Sequence, residues 1–269
     1  MENALGICNW AFEALADPAC CAALRRCGIS GVQLEIGEGA CSLRRSAVRA
    51  AWRRCARAHG IEILSLMFNE TLGLNIAAER VSAARRHLEE KLNLAIAVAV
   101  EMEIPLLVIP SFRASGLGGR TALARTADFL CRARRKAVVQ GVDVASENIL
   151  EPARLGELLG NAFPPPVRLY LDMANYMLHA GRPVANMLEV LLPLAVEQAH
   201  VKDGLPGRPG SLPLGEGEAD IKAALSVLKQ CSFPGWLVIE NLYGGGAAYW
   251  QGRNPWDCLK RDILWLRKF

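Results

Sequence analysis

With 269 residues, 52% of them hydrophobic and 22% charged, the chain is long enough to bury a large core. The net charge of +4 is small, and the arginines are scattered along helical stretches such as Arg132–Arg135. No basic stripe interleaved with aromatics is present, which argues against a nucleic-acid partner. The apolar stretch Leu92–Val100 runs into Glu101 and Glu103 and is too short to cross a bilayer, so no membrane partner is expected.

In chain order, short β-type runs alternate with helical segments. Strand Leu5–Asn9 precedes helix Glu13–Cys27, and Gly31–Ile36 precedes Arg44–His59. Ile61–Met67 leads to Ala78–Val100, and Pro105–Ile109 to Thr121–Gln140. Val142–Glu147 is followed by Pro152–Leu159, and Val167–Asp172 by Val184–Leu192. The last two units are Gln198–Lys202 with Ile221–Lys229, and Trp236–Glu240 with Pro255–Arg267. Gly28, Gly60 and Gly141 fall where helices should end, and Pro152, Pro183 and Pro255 where helices should begin. Strict alternation implies parallel strands joined by helical crossovers. Eight units with no linker or composition break predict an α/β fold, a single-domain (β/α)₈ TIM barrel over residues 1–269. An open doubly wound sheet is the alternative.

Nine cysteines, an odd number without C-x₂-C spacing, read as free thiols in apolar surroundings and suggest a cytoplasmic protein without disulfides. The N-terminus, opening on Glu2 and Asn3, lacks the basic and apolar regions of a signal peptide. A homo-oligomer is compatible with this composition.

An α/β barrel carries its site at the C-terminal ends of its strands. The fifth predicted strand ends in Glu147, the sixth in Asp172 and the eighth in Glu240, while the seventh carries His200 near its end. Three carboxylates and an imidazole suit one divalent ion of the Mn²⁺, Mg²⁺ or Co²⁺ kind better than a thiolate-seeking metal. Individually, Asp172 could be a helix cap and His200 a hydrogen-bonded core residue. Glu147 and Glu240 each end an apolar strand, where burying an unused carboxylate would be costly. Lys202, two residues beyond His200, lies on the same side of its strand and could hold a substrate oxygen or form a salt bridge. Trp10, Asn69, Asn9 and Phe68 fall at early strand ends and are candidate pocket walls. Tyr243 precedes Gly244–Gly246, a stretch suited to a closing loop or a simple turn.

Ser146-Glu147-Asn148, Leu171-Asp172 with Asn175, His200-Val-Lys-Asp203, Pro213-Leu-Gly-Glu-Gly217 and Gly235-Trp-Leu-Val-Ile-Glu240 together resemble the xylose-isomerase-like TIM barrels, the sugar phosphate isomerase/epimerase family. The resemblance runs along nearly the whole chain and is sharpest from Val142 to Tyr243. It implies that Glu147, Asp172, His200 and Glu240 bind one divalent metal, with Glu147 and Glu240 also moving a proton beside a substrate carbonyl. It implies a small polyhydroxy carbonyl substrate, and Glu35 at the end of the second strand as a substrate contact. Two departures concern the substrate. A histidine common three residues after the strand-six aspartate is Asn175 here, and a common arginine after the strand-seven histidine is displaced to Arg208 by Pro206 and Gly207. Asn175 and Arg208 are therefore expected to contact substrate in a rearranged way. The same scaffold also hosts dehydratases acting on a cyclitol or polyhydroxy ketone, for which His179 or Lys202 could protonate the leaving hydroxyl. DNA-repair endonucleases of the related barrel class need extra histidines near strands three and four, where this chain has Phe68-Asn69 and Pro110-Ser111.

Overall fold

In the computed structural model, which describes residues 3–160, 167–244 and 247–269, eight parallel strands follow the closed order β1-β10-β7-β6-β5-β4-β3-β2. They are β1 (Leu5–Cys8), β2 (Gly31–Glu35), β3 (Glu62–Met67), β4 (Leu106–Pro110), β5 (Asp143–Glu147), β6 (Arg168–Asp172), β7 (Ala195–Val201) and β10 (Trp236–Ile239). All eight predicted strands are present, with ends shifted by one to three residues, and the fold is the (β/α)₈ TIM barrel. Most strand residues are buried, as in strands covered on both faces.

By internal contacts the chain divides into two compact units. The first comprises Met1–Gln33, Ala51–Ile63 and Leu171–Phe269. In it β10 lies between β1 and β7, with Ile239 opposite both Ile7 and Val201. The second comprises Leu34–Ala50 and Leu64–Tyr170. There β4 pairs with β3 and β5, and Glu147 stands opposite Pro110 on β4 and Tyr170 on β6.

Helices α2 (Ser46–His59), α3 (Ala83–Glu101), α4 (Arg120–Val138), α5 (Pro152–Gly160), α8 (Ile221–Gln230) and α9 (Pro255–Leu266) match the predicted ones closely. Ser82 caps α3 by accepting from Arg85 N, and Asn254 caps α9 ahead of Pro255. Two predicted helices are broken. Glu13–Cys27 becomes two 3₁₀ turns and then α1 (Cys21–Cys27), because Asp17, preceding Pro18, is extended. Val184–Leu192 becomes a 3₁₀ turn, the single-turn α7 (Leu188–Leu191) and a second 3₁₀ turn containing Pro193. Two elements were not expected: the short helix α6 (Asn175–Ala180), and the antiparallel hairpin β8 (Asp203–Leu205) and β9 (Arg208–Leu212). Pro206 and Gly207, the latter at φ +71°, make its turn.

All nine cysteines are free, and none of the helices among the described residues is long and apolar enough to cross a membrane.

A buried polar chain ties the C-terminal ends of β7 and β10 to α9. Asp203 is 1% exposed, and its carboxylate accepts backbone N–H groups from Gly204 (2.8 Å), Gly215 (2.9 Å), Gly217 (3.1 Å) and Ala219 (3.1 Å). Its own N–H donates to Asn241 Oδ1 (3.0 Å), and Asn241 Nδ2 donates to Asp262 Oδ2 on α9 (2.7 Å). Asp262 also accepts from Tyr243 OH (2.8 Å) and Leu214 N (3.1 Å). Burial pushes the Asp262 carboxyl up to about 6, although its hydrogen bonds pull the other way.

Two predictions follow from this chain. A Cβ on Gly217 would collide with Asp203 Oδ1 and the backbone of Gly204, neither of which can yield. Gly217→Ala should lower stability by about 3 kcal/mol, read as a lower urea midpoint at unchanged slope. Asp262 keeps a proton in the folded state between its ordinary 3.8 and about 6, whereas the unfolded chain releases it there. Its contribution to stability therefore falls as pH rises through that window, by about 3 kcal/mol in total. Asp262→Asn cannot ionise. Urea unfolding at pH 4 and pH 7 should show the variant gaining on the wild type by about that amount, and an unchanged gap between the two proteins would disprove the assignment.

Candidate functional site

The predicted polar strand ends lie where expected. Asp172 closes β6, His200 is the penultimate residue of β7, Lys202 follows β7 and Glu240 follows β10. Parallel pairing places Val238 beside His200 and donates Glu240 N to Val201 O (2.9 Å), so the last turn of each strand delivers its side chain at one level. His200 and Asp172 are fully buried, Lys202 is nearly so, and the Glu240 side chain is 15% exposed.

Within the first unit these four side chains converge. Lys202 Nζ is 2.6 Å from Asp172 Oδ2 and also pairs with Glu240 Oε2. His200 Nδ1 faces the same two oxygens, at 3.6 Å from Asp172 Oδ2 and 3.2 Å from Glu240 Oε2. The other imidazole nitrogen, Nε2, is 2.7 Å from Gln33 Oε1 and 3.5 Å from Cys8 Sγ. Trp10 donates its indole N–H to Glu240 Oε1 (3.3 Å) and sets its ring edge-on to His200, centroids 6.4 Å apart at 82°.

The two oxygens of Asp172 do different work. Oδ1 accepts the N–H groups of Ala174 (2.9 Å) and Asn175 (2.8 Å), so the aspartate does cap the turn into α6. Oδ2 is left for the cluster. Burial alone would raise this carboxyl, but the Lys202 ammonium, with His200, more than offsets it and holds the group well below the usual carboxylate range. Capping and site membership, alternatives in the sequence, are compatible in the structure.

The donor set fits a hard or borderline cation. Two carboxylate oxygens and an imidazole nitrogen face one point, and a positively charged ammonium lies against both carboxylates. Cys8 also has its sulfur within 4.8 Å of ligand atoms on His200 and Glu240. Burial pushes that thiol up to about 12, so it stays protonated, and it stands on the Nε2 side of the imidazole.

The other predicted residues lie on several elements. In the second unit Glu147 is buried at the end of β5, its carbonyl accepting from Ser111 N (2.9 Å), and Asn69 Nδ2 donates to Glu35 Oε2 (2.7 Å). Asn175 starts α6 and is buried, while His179 is exposed on that helix. Arg208 is exposed at the start of β9 and makes none of the contacts that join Asp172, His200, Lys202 and Glu240. Tyr243 is turned into the core. Its ring packs edge-on against Phe12 and Trp250 and its hydroxyl is spent on Asp262, so it anchors the segment after β10 instead of facing a ligand. Gly245 and Gly246 of the glycine run lie outside the described residues. A groove of about 590 Å³ adjoins Trp10, walled by Phe12, Leu242, Pro255 and Trp256.

The sequence reading missed Gln33 and Cys8. The available signal was an amide in the middle of the apolar run Gly31–Glu35, two residues before Glu35. Cys8 carried no signal distinguishing it from a core thiol.

Comparison with known proteins places the site in context. Residues 21–269 match the family described as xylose isomerase-like TIM barrel. A 2-epi-5-epi-valiolone 7-phosphate 2-epimerase from an Actinoplanes species is 31% identical over 276 aligned positions, covering 100% of this chain and 95% of that one. Among solved structures, an L-ribulose 3-epimerase superposes with a TM-score of 0.79 at 15% identity, covering 98% of this chain and 93% of its own. The 3-keto-D-glucoside 4-epimerase of E. coli gives 0.75 at 15% identity, with 100% of both chains covered. The chain is an enzyme and belongs to the xylose isomerase-like TIM barrel family.

Proposed function

We propose that the enzyme is a divalent-metal-dependent epimerase or isomerase of a polyhydroxy ketone, a keto sugar or keto cyclitol, and that the whole chain works as one barrel domain. The observation that carries this reading is the Lys202 ammonium lodged against Asp172 Oδ2 and Glu240 Oε2 while His200 Nδ1 faces the same oxygens. Such a cluster is built to take up positive charge. In support, the relative named above is an epimerase of a phosphorylated substrate.

Asp172, His200 and Glu240 are the proposed ligands, joined by Glu147, whose strand partner Tyr170 precedes Asp172 by two residues. A divalent ion held there supplies Lewis acidity, which makes a C–H beside the substrate carbonyl acidic enough to remove. Glu240 and Glu147 move the proton. A base on each face of the substrate carbon gives epimerisation, and one base serving two adjacent carbons gives isomerisation. Trp10, by donating to Glu240 Oε1, holds this carboxylate in one orientation. Lys202 exchanges a carboxylate partner for a substrate oxygen when the ion is bound. Glu35 and Asn69, paired with each other, and Asn175 are proposed to hold substrate hydroxyls.

Glu240→Gln keeps an oxygen for the metal and removes the base. Hydrogen–deuterium exchange at carbon, run in D₂O against a panel of keto sugars and keto cyclitols with and without phosphate, should fall by about 10²- to 10⁴-fold. Metal content by elemental analysis should remain near that of the wild type. Near-normal exchange with metal bound would remove Glu240 from proton transfer. Wild-type protein that takes up no divalent ion would overturn the metal reading itself.

A further inference from the structure

The environment of His200 is asymmetric. One nitrogen, Nδ1, faces oxygens of Asp172 and Glu240, with Lys202 between those two carboxylates. The other, Nε2, is 2.7 Å from the amide oxygen of Gln33, and that oxygen is also 3.4 Å from Cys8 Sγ. Gln33, Cys8 and His200 are all fully buried, so none of these contacts can be traded for water.

We infer that Gln33 is a positioning residue for the proposed metal site: its amide oxygen accepts the Nε2 proton of His200 and thereby keeps Nδ1 turned to Asp172 and Glu240.

Cys8 decides which way the amide points. A buried thiol offers one hydrogen and is a poor acceptor, so it favours the amide oxygen over the amide NH₂. With the oxygen on that side, the neighbouring Nε2 must carry the imidazole proton, because an unprotonated Nε2 would set acceptor against acceptor at 2.7 Å. Nδ1 is then the nitrogen left for a cation once the ring holds no second proton. The opposite arrangement, with the amide reversed and the proton on Nδ1, would give the ring a proton where a cation should bind. A lone pair facing two carboxylate oxygens is an unfavourable arrangement that a cation resolves. Lys202 relieves it in part, and an ion between the three groups would do so fully. Fixing a ligand's tautomer from behind typically changes metal affinity by about 10- to 100-fold.

This inference rests on the metal reading above, and the test separates the two. The full-length, metal-free protein is labelled with ¹⁵N-histidine, and the four histidines are assigned with a His200→Asn variant. Long-range ¹H–¹⁵N spectra should show Nε2 of His200 protonated; where the ring is neutral, this is its single tautomer. Gln33→Met, close in shape but without an amide acceptor, should lose that single tautomer and bind Co²⁺ about 10- to 100-fold more weakly. Gln33→Glu, which restores an oxygen, should recover both. A wild-type His200 carrying its proton on Nδ1 overturns the inference, whether or not the methionine variant folds. So does a Gln33→Met protein with unchanged tautomer and unchanged Co²⁺ affinity. If wild-type protein binds no Co²⁺ the metal reading fails alone, since the tautomer still reports on Gln33.

Discussion

Asp172 and Glu240 are carboxylates withdrawn almost entirely from water, and their like charges meet at a point where each needs a positive partner. An isolated buried carboxylate costs several kcal/mol, and two together cost more. Lys202 supplies one positive charge to both, and the rest of the local architecture is arranged around keeping that cluster in place. β6 and β7 deliver Asp172, His200 and Lys202, and β10 delivers Glu240. Because side chains alternate along a strand, His200 and Lys202 project to the same side, which is why one strand can present an imidazole and an ammonium to the same carboxylates.

A cluster of that kind is only as well defined as the segments that carry it, and those segments are strand ends opening into loops. The chain from Asp203 through Asn241 to Asp262 fixes them with backbone and side-chain hydrogen bonds out of reach of solvent. Asp203 follows Lys202 directly and Asn241 follows Glu240 directly. Alternation then turns the functional side chain of each pair toward the cluster and its neighbour toward the anchor. The glycines at 215 and 217 serve the anchor: a Cβ at 217 would run into Asp203 Oδ1, and one at 215, where φ is +83°, into the ring of Trp265.

The sequence was most informative where one constraint acted alone. Apolar runs ending in a single acid, such as Trp236–Glu240, could only be strands with a purpose for that acid, and the eight units emerged from periodicity and punctuation. It was least informative where two requirements met in one residue. Asp172 looked like either a cap or a ligand because each of its oxygens takes one of those environments. Pro206-Gly207 read only as an insertion that displaces Arg208, because a two-residue turn and a loop share the same composition, and the hairpin it closes is too short for a periodic signal. Tyr243 read only as the neighbour of a closing loop or a simple turn, because its partner Asp262 lies 19 positions away on another element. Gln33 was invisible because its role depends on His200, 167 positions distant, and on a thiol with no polar signature.

The charge balance of the proposed centre bears on how it does its chemistry. Asp172, Glu240 and Glu147 contribute three negative charges, Lys202 one positive charge and a divalent ion two, with the imidazole neutral, so the sum is zero. In the proposed reaction Glu240 takes a proton from the substrate carbon and becomes neutral, and the negative charge it loses appears on the substrate oxygen. The net charge of the enclosed site is the same before and after. What the reaction demands of this buried environment is a displacement of charge over a few ångströms toward groups already oriented to receive it. In a medium of low polarity that is far less costly than creating charge, because the dipoles and ions need not reorganise. The same balance explains why the second nitrogen of His200 should meet a neutral amide and a protonated thiol. The partners behind the imidazole then set its orientation without adding to the charge in front of it.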